Sequence, residues 1–142
     1  MVIRDFRPED AEPLENLLIA VGELAHPEVD GREAMLRVHA CSAAVFLVVE
    51  EDGKPVGLVR GVYDGSRALI HLLAVHPDCQ GRGIGTALVR EIARRVKAQG
   101  APGLGVAAAE RAVGFWERLT FRPSARYMVA FDIEMLIGEE AR

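Results

Sequence analysis

The sequence has little of what marks membrane-bound and secreted proteins. Its longest uninterrupted apolar run covers residues 43–49, far fewer than the roughly 20 residues that a membrane-spanning helix needs. Residues 1–7 alternate apolar and charged side chains and contain no apolar core of a signal peptide. We therefore expect a cytoplasmic protein that has no membrane partner.

Surplus positive charge and cysteine clusters are also missing. Lys and Arg number 17 against 21 Asp and Glu, which gives a formal net charge of −4. This balance does not favour a phosphate backbone as a partner, so we expect no nucleic acid. The two cysteines, Cys41 and Cys79, form no CxxC pair and have no histidine at ligand spacing, so no metal site is predicted.

What is present is the composition of a globular enzyme or binding domain. The chain has 142 residues, of which 50% are hydrophobic and 27% are charged. This length is typical of one compact domain with one core. We therefore expect a single domain over residues 1–142.

Hydrophobic periodicity predicts an α/β fold in which a sheet of mixed direction has helices on both faces. Strands are expected at residues 2–6, 45–49, 56–63, 68–75, 104–108 and 127–133. Helices are expected to begin near Asp10, at Asp30, near Thr86 and at Glu110. Asp10 is predicted to cap the first helix, and Asp30 with Glu33 to form a capping box at the second.

The most informative stretch is residues 75–86, where a strand passes through alternating glycines into the best-defined helix of the chain. Gly81, Gly83 and Gly85 allow positive φ angles and close approach of a ligand to backbone N–H groups. A helix N-terminus favours an anion such as pyrophosphate. The stretch therefore predicts a phosphate-binding turn, to which Arg82 adds a positive charge and Thr86 a hydroxyl.

Two common nucleotide-binding motifs do not fit this turn. A P-loop has a lysine before its final Ser or Thr, and the residue before Thr86 is Gly85. A dinucleotide-binding fingerprint that starts at Gly81 and Gly83 needs its third glycine where Thr86 stands, and it follows a βαβ unit rather than an antiparallel meander.

The remaining pattern, Gln80-x-x-Gly83-x-Gly85 after a strand, resembles the pyrophosphate-binding signature of the GNAT superfamily of acyl-CoA-dependent N-acyltransferases. The resemblance covers nearly the whole chain, from Ile3 through residues 72–77 to residues 115–121. It implies a GNAT-like mixed, mostly antiparallel sheet of about six or seven strands, flanked by about four helices. It also implies central strands that separate to admit acetyl-CoA as co-substrate.

The same resemblance implies roles for individual residues. Backbone groups on the central strand would meet the pantetheine arm and the acetyl carbonyl, and the turn would enclose the pyrophosphate. Trp116 would pack beside the cofactor. The implied cofactor-binding residues are Leu73, Ala74, Val75, Gln80, Gly81, Arg82, Gly83, Ile84, Gly85, Thr86 and Trp116.

In this family a free amine attacks the thioester directly, so protons have to be removed and supplied. An alkyl amine with a pKa near 10.4 is roughly 4 to 5 kcal/mol from its neutral form at pH 7, whereas a thiol with a pKa near 8.5 is short by only about 2 kcal/mol. The base therefore matters more than the acid. His71 stands where relatives often carry a glutamate, and a reference pKa near 6.5 suits it to this task.

The sequence departs from the family where the acid is expected. Trp116 occupies the position of the usual tyrosine, and an indole N–H is too weak an acid to replace it. Ala109 also stands where the family often has asparagine. Tyr127 is the predicted substitute acid.

The sequence thus predicts an N-acetyltransferase that uses acetyl-CoA and acts on a small-molecule amine or a protein amino group. A non-catalytic acyl-CoA-binding or regulatory module is the alternative that Trp116 and Ala109 favour. A third alternative is a binder of another nucleotide. Family habit suggests a homodimer.

Overall fold

The computed structural model of the protein describes residues 1–125 and 127–138. Residues 1–106 form one compact unit, and the residues from 107 onward form a second. The first unit contains the sheet and the glycine turn, and the second contains two short helices.

The sheet lies in the first unit and has five strands among the described residues. They are Val2–Asp5 (β1), Ala44–Glu51 (β2), Lys54–Tyr63 (β3), Ala68–Val75 (β4) and Gly105–Val106 (β5). The strands lie side by side in chain order, β1 to β4 antiparallel and β5 parallel to β4. The predicted α/β class and mostly antiparallel sheet are confirmed.

The helices of the described residues are Ala11–Val21 (α1), Pro27–Asp30 (α2), Arg32–His39 (α3), Ile84–Ala98 (α4), Val113–Arg118 (α5) and Ile133–Ile137 (α6). Short 3-10 helices lie at Pro8–Asp10, Pro77–Cys79 and Glu110–Ala112. None of the helices in the described part of the chain is long and apolar enough to cross a membrane.

Helices of the first unit pack on both faces of the sheet, as the periodicity predicted. On one face, Leu14 and Leu18 of α1 and Met35 of α3 belong to a buried cluster with Leu58 and Leu72 of the sheet. On the opposite face, α4 comes close to the glycines of β3, since a Cβ at Gly57 would lie 3.4 Å from Leu88 Cδ1. Successive strand residues point to opposite faces, which places neighbouring β3 residues against different helices.

Both predicted aspartate caps are wrong, because each carboxylate binds an arginine instead. Asp10 stands at the N-cap position of α1, but its side chain accepts two hydrogen bonds from Arg4, at 2.7 and 2.8 Å. Asp30 accepts a 2.7 Å hydrogen bond from Arg60, and α3 begins at Arg32 without a side-chain cap. Asp10 also accepts a 2.8 Å hydrogen bond from the Arg7 N–H, which precedes the helix, so neither carboxylate caps the helix predicted for it.

The predicted last strand, residues 127–133, is also wrong, and the sheet has five strands rather than six or seven among the described residues. A strand exists only where its backbone pairs with a neighbour, and the second unit contains no strand in its described residues. Asp132 instead accepts the Met135 N–H and caps α6. This helix and the four-residue α2 raise the helix number above the expected four.

A β-bulge interrupts the pairing of β3 with β4 beside His71. Arg60 lies opposite Leu72 and Gly61 lies opposite Ile70, so His71 is the extra residue on β4. A bulge of this kind bends the strand and changes the direction of the side chains around it. The pairing of β4 with β5 ends at Ile70, directly before the bulge.

Replacement of Gly61 tests the close approach of α4 to the sheet. In Gly61→Ala the new Cβ would overlap the carbonyl oxygen of Leu69 and lie 2.9 Å from Ile92 Cδ1. We expect a loss of about 1–3 kcal/mol in the free energy of unfolding, measured with urea. Gly103→Ala is the control, since a Cβ there meets no heavy atom within 4 Å. Equal stability of the two variants would contradict this packing.

Candidate functional site: a glycine turn at the open edge of a strand

The glycine turn connects the end of β4 to the start of α4 and leaves open space beside its backbone. Gly81 has a φ of 78° and Gly83 a φ of 80°, in the left-handed region that side chains rarely adopt. A Cβ at either position would meet no heavy atom within 4 Å. A ligand can therefore approach the backbone of the turn closely.

Amide groups at the start of α4 provide donors for an anion. The first backbone hydrogen bond of α4 runs from the Ala87 N–H to the Gly83 carbonyl at 3.0 Å. The amides of Ile84, Gly85 and Thr86 precede this ladder, and the first amides of a helix have no acceptor within it. The helix has 15 residues, and its dipole adds partial positive charge at this end. This arrangement suits a phosphate group.

Two side chains of the turn bind neighbouring strands of the sheet. Gln80 donates from Nε2 to the carbonyl oxygen of Val75 at 3.0 Å, which ties the turn back to β4. Arg82 forms two hydrogen bonds with the Glu51 carboxylate at the end of β2, at 3.0 and 2.7 Å. Glu51 thus compensates the positive charge that the sequence placed at the turn, while holding Arg82 beside it.

The second half of β4 presents backbone groups to an open edge. The His76 N–H donates to the Val56 carbonyl at 2.8 Å, towards β3. Because the hydrogen-bonding direction alternates along a strand, Ala74 also points towards β3, while Leu73 and Val75 point away from it. Within residues 1–106, β5 pairs with β4 only as far as Ile70. The backbone groups of Leu73 and Val75 therefore face an edge without a neighbouring strand in this unit.

His71 lies on the same strand, at the bulge, and is exposed. Partial burial by neighbouring atoms lowers the pKa of its imidazole, and the positive charge of Arg60 lowers this pKa further. The negative charge of Asp30 acts in the opposite direction. At neutral pH the imidazole is therefore mostly unprotonated, the form that accepts a proton.

Trp116 and Tyr127 lie in the second unit, in different surroundings. Trp116 is buried, and its ring centroid lies 5.0 Å from that of Phe115 and 5.1 Å from that of Phe121, both in edge-on contacts. Tyr127 keeps 68% of its surface exposed. Their roles beside the cofactor and as acid stay predictions.

The other predicted residues, from His71 to Thr86, lie together on β4, in the following turn and at the start of α4. Sequence reasoning missed the carboxylates that face this region, Glu51 and Asp30, and the buried Arg60. One signal was available for Arg60, which is a lone charge within an apolar strand, between Val59 and Gly61. The carboxylates gave no local signal, because their partners are distant in sequence.

Comparisons with known proteins agree with this geometry. A family model described as Acetyltransferase (GNAT) family matches residues 14–121. An acetyltransferase of Photorhabdus laumondii is 31% identical over 143 residues, which cover 99% of both chains. Together they define the class of protein as an acetyltransferase. Within this class, the chain belongs to the GNAT family, as the resemblance at the glycine turn predicted.

Solved structures with the same fold are more distant in sequence. A transcriptional regulator from Bacillus halodurans superposes with a TM-score of 0.79 at 20% identity, covering 92% of this chain and 99% of that one. The PaiA N-acetyltransferase from Thermoplasma acidophilum, in complex with coenzyme A, superposes with a TM-score of 0.71 at 19% identity, covering 84% and 86%. These similarities show the shared fold.

Replacement of Gly83 tests the turn as a binding site for coenzyme A. Gly83→Ala places a methyl group in the open space beside the amides, so we expect the Kd for coenzyme A to rise at least about tenfold, or 1.4 kcal/mol. Isothermal titration calorimetry measures the Kd. Gly65→Ala is a matched control, because Gly65 also has a positive φ, 99°, and open space around it.

Both variants bear a similar backbone penalty of about 1–2 kcal/mol, so the comparison isolates the ligand. The site assignment would be contradicted if Gly83→Ala and Gly65→Ala bound coenzyme A equally well. ATP and NAD serve as competing ligands, and a greater thermal stabilisation by either than by acetyl-CoA would support a different nucleotide site.

Proposed function

We propose that the protein is an N-acetyltransferase that transfers the acetyl group of acetyl-CoA to a primary amine. The acceptor is a small-molecule amine or a protein amino group. The observation that supports this most strongly is the position of the glycine turn, which directly follows the unpaired edge of β4. A diphosphate at the turn would leave the thioester arm to lie along Leu73 and Val75.

The residues of the first unit fit the cofactor by donor chemistry and by space. The amides of the turn and of the first residues of α4 would hold the pyrophosphate, and open space at Gly81 and Gly83 admits it. When bound, acetyl-CoA supplies the activated acetyl group. The Val75 N–H points to the same edge and would stabilise the negative charge that the carbonyl oxygen gains during attack.

His71 would remove the proton from the attacking amine, directly or through water. The acceptor arrives mostly as an ammonium ion, because an alkyl amine has a pKa near 10.4. A general base has to be unprotonated before it can act, and the lowered pKa of His71 satisfies this at pH 7. The proton then lies on the imidazole and leaves to solvent, since the side chain is exposed.

The leaving thiolate needs a proton less urgently. Its deficit is about 2 kcal/mol at pH 7 for a Cys-like pKa. Tyr127 is the proposed acid, with water as its substitute. The homodimer, the cytoplasmic location and the single-domain organisation stay predictions from the sequence.

A non-catalytic acyl-CoA-binding module is the second candidate. The specific observation that favours it is Trp116, which is buried between aromatic rings where the family has its tyrosine acid. Such a module would bind coenzyme A at the glycine turn without turnover. A module without turnover would not need a general base at His71.

Replacement of His71 tests the enzyme against the module. We expect His71→Gln to lower kcat at least about a hundredfold, with an unchanged Kd for acetyl-CoA, because a positioned base contributes about 10²–10⁴-fold. In the unmodified protein, kcat should fall with decreasing pH as the imidazole becomes protonated. Because the pKa is lowered, this acid limb should have its midpoint below about 6.5.

The pH–rate profile and a panel of amines provide the measurement. His39→Gln is the control, since His39 is exposed on α3 and its ring packs edge-on against Phe6. Full activity of His71→Gln would eliminate the base assignment. Tight binding of acetyl-CoA with no turnover of any amine would favour the module.

A further inference from the structure

Arg60 lies in the middle of β3 and is almost completely buried. Only 5% of its surface is exposed, and Leu72 lies opposite it on β4. Arginine is rarely buried to this extent unless its charge is paired. Its neighbours on the same face of β3 are Leu58 and Val62, so the guanidinium group lies on an otherwise apolar surface.

The partner of Arg60 is Asp30, at the end of α2. The Nη2–Oδ1 distance is 2.7 Å, and the side chain of Asp30 is 21% exposed. The other terminal nitrogen of Arg60, Nη1, is buried and has no hydrogen-bond partner among the described residues. A buried ion pair with an unsatisfied donor stabilises a fold poorly, because the cost of removing the charges from water is large.

His71 lies across the strands from Arg60. In a bulge two residues of one strand oppose one residue of the other, so His71 and Leu72 together lie opposite Arg60. The charged groups that act on the imidazole are Arg60, from β3, and Asp30, from α2. Two opposite charges, on two different elements, therefore act on the proposed base.

We propose that Arg60 and Asp30 are positioning residues for His71. Their opposite charges together adjust how strongly the imidazole binds a proton taken from the acceptor. The proposal rests on the proposed function for its catalytic part. The electrostatic part concerns only the first unit and stands on the ion pair and the bulge.

The two charges have opposite effects on the base. The guanidinium disfavours a second positive charge on the imidazole, which keeps the base unprotonated between turnovers. The carboxylate favours that charge, which strengthens the base when it accepts the proton. Arg60 alone would lower the pKa of the imidazole further, and Asp30 alone would raise it. The pair thus keeps the imidazole unprotonated before the reaction and still able to accept a proton during it. General-base catalysis requires both properties.

NMR titration of the His71 imidazole measures the electrostatic effect without any turnover. The chain has four histidines, and His71→Gln identifies the His71 resonance. We expect the midpoint in the unmodified protein to lie below about 6.5. Arg60→Met should raise the midpoint and Asp30→Asn should lower it, each on the order of one pH unit. The acid limb of kcat should move with the midpoint in each variant.

Two further variants separate charge from packing. Arg60→Lys keeps the positive charge, so we expect its midpoint to lie closer to that of the unmodified protein than the midpoint of Arg60→Met does. Glu15→Gln removes the carboxylate of a different ion pair, Glu15 with Arg32, whose Oε1–Nε distance is 2.9 Å. Neither Glu15 nor Arg32 contributes to the titration of His71, so this control should leave the midpoint unchanged.

The outcomes distinguish this proposal from the proposed function. Shifts of Arg60→Met and Asp30→Asn in the same direction, or no shifts, would overturn the role of the pair even if His71→Gln lacks activity. Full activity of His71→Gln would overturn the base assignment whatever the titrations give. Should one of the two variants fail to fold, the other decides: an unchanged midpoint, or a shift in the direction opposite to the expected one, would overturn the role of the pair.

Discussion

The candidate site depends on the second half of β4, which has a neighbouring strand on one side only within residues 1–106. Within residues 1–106, β5 pairs with β4 at Leu69 and Ile70 only, and the bulge at His71 follows at once. Backbone N–H and C=O groups need partners, so this edge is available to a ligand, apart from the Val75 carbonyl, which accepts a hydrogen bond from Gln80 Nε2. The chain then turns through Gly81 and Gly83 and exposes the first amides of α4. The open edge of β4 and the exposed amides of the turn thus follow each other in the sequence.

Paired charges recur around this surface. Arg82 in the turn is held by Glu51 from β2, and Arg60 beneath the bulge is held by Asp30 from α2. In both pairs a carboxylate from another element fixes the arginine and reduces its net charge. The turn therefore relies mainly on oriented amides to attract an anion. In our proposal, the electrostatic effects of Arg60 and Asp30 on the His71 imidazole partly cancel.

Local signals predicted the elements that bear the site. The strand at residues 68–75 has the predicted bounds, because a nearly continuous apolar run lies between clear turn residues. The glycines and the amphipathic helix after them identified the turn and the family. The bulge at His71 was beyond this reasoning, since it depends on how two strands align rather than on either strand alone.

The errors have a common physical origin in partners that lie on other elements of the fold. Asp10 and Asp30 have residue types that favour helix caps, but each carboxylate is bound by an arginine on the sheet. The apolar run at residues 127–133 suits a strand, yet a strand also needs an edge with which to pair. The fold class and the family were thus predictable from local pattern, while the surroundings of His71 required the structure.

Assigned backbone amide resonances followed during titration with coenzyme A test the central claim most directly. The account predicts that the largest shifts occur at Gly81 through Thr86 and at Val75, with saturation at one equivalent. Unchanged resonances at these positions, with binding evident elsewhere in the chain, would contradict it.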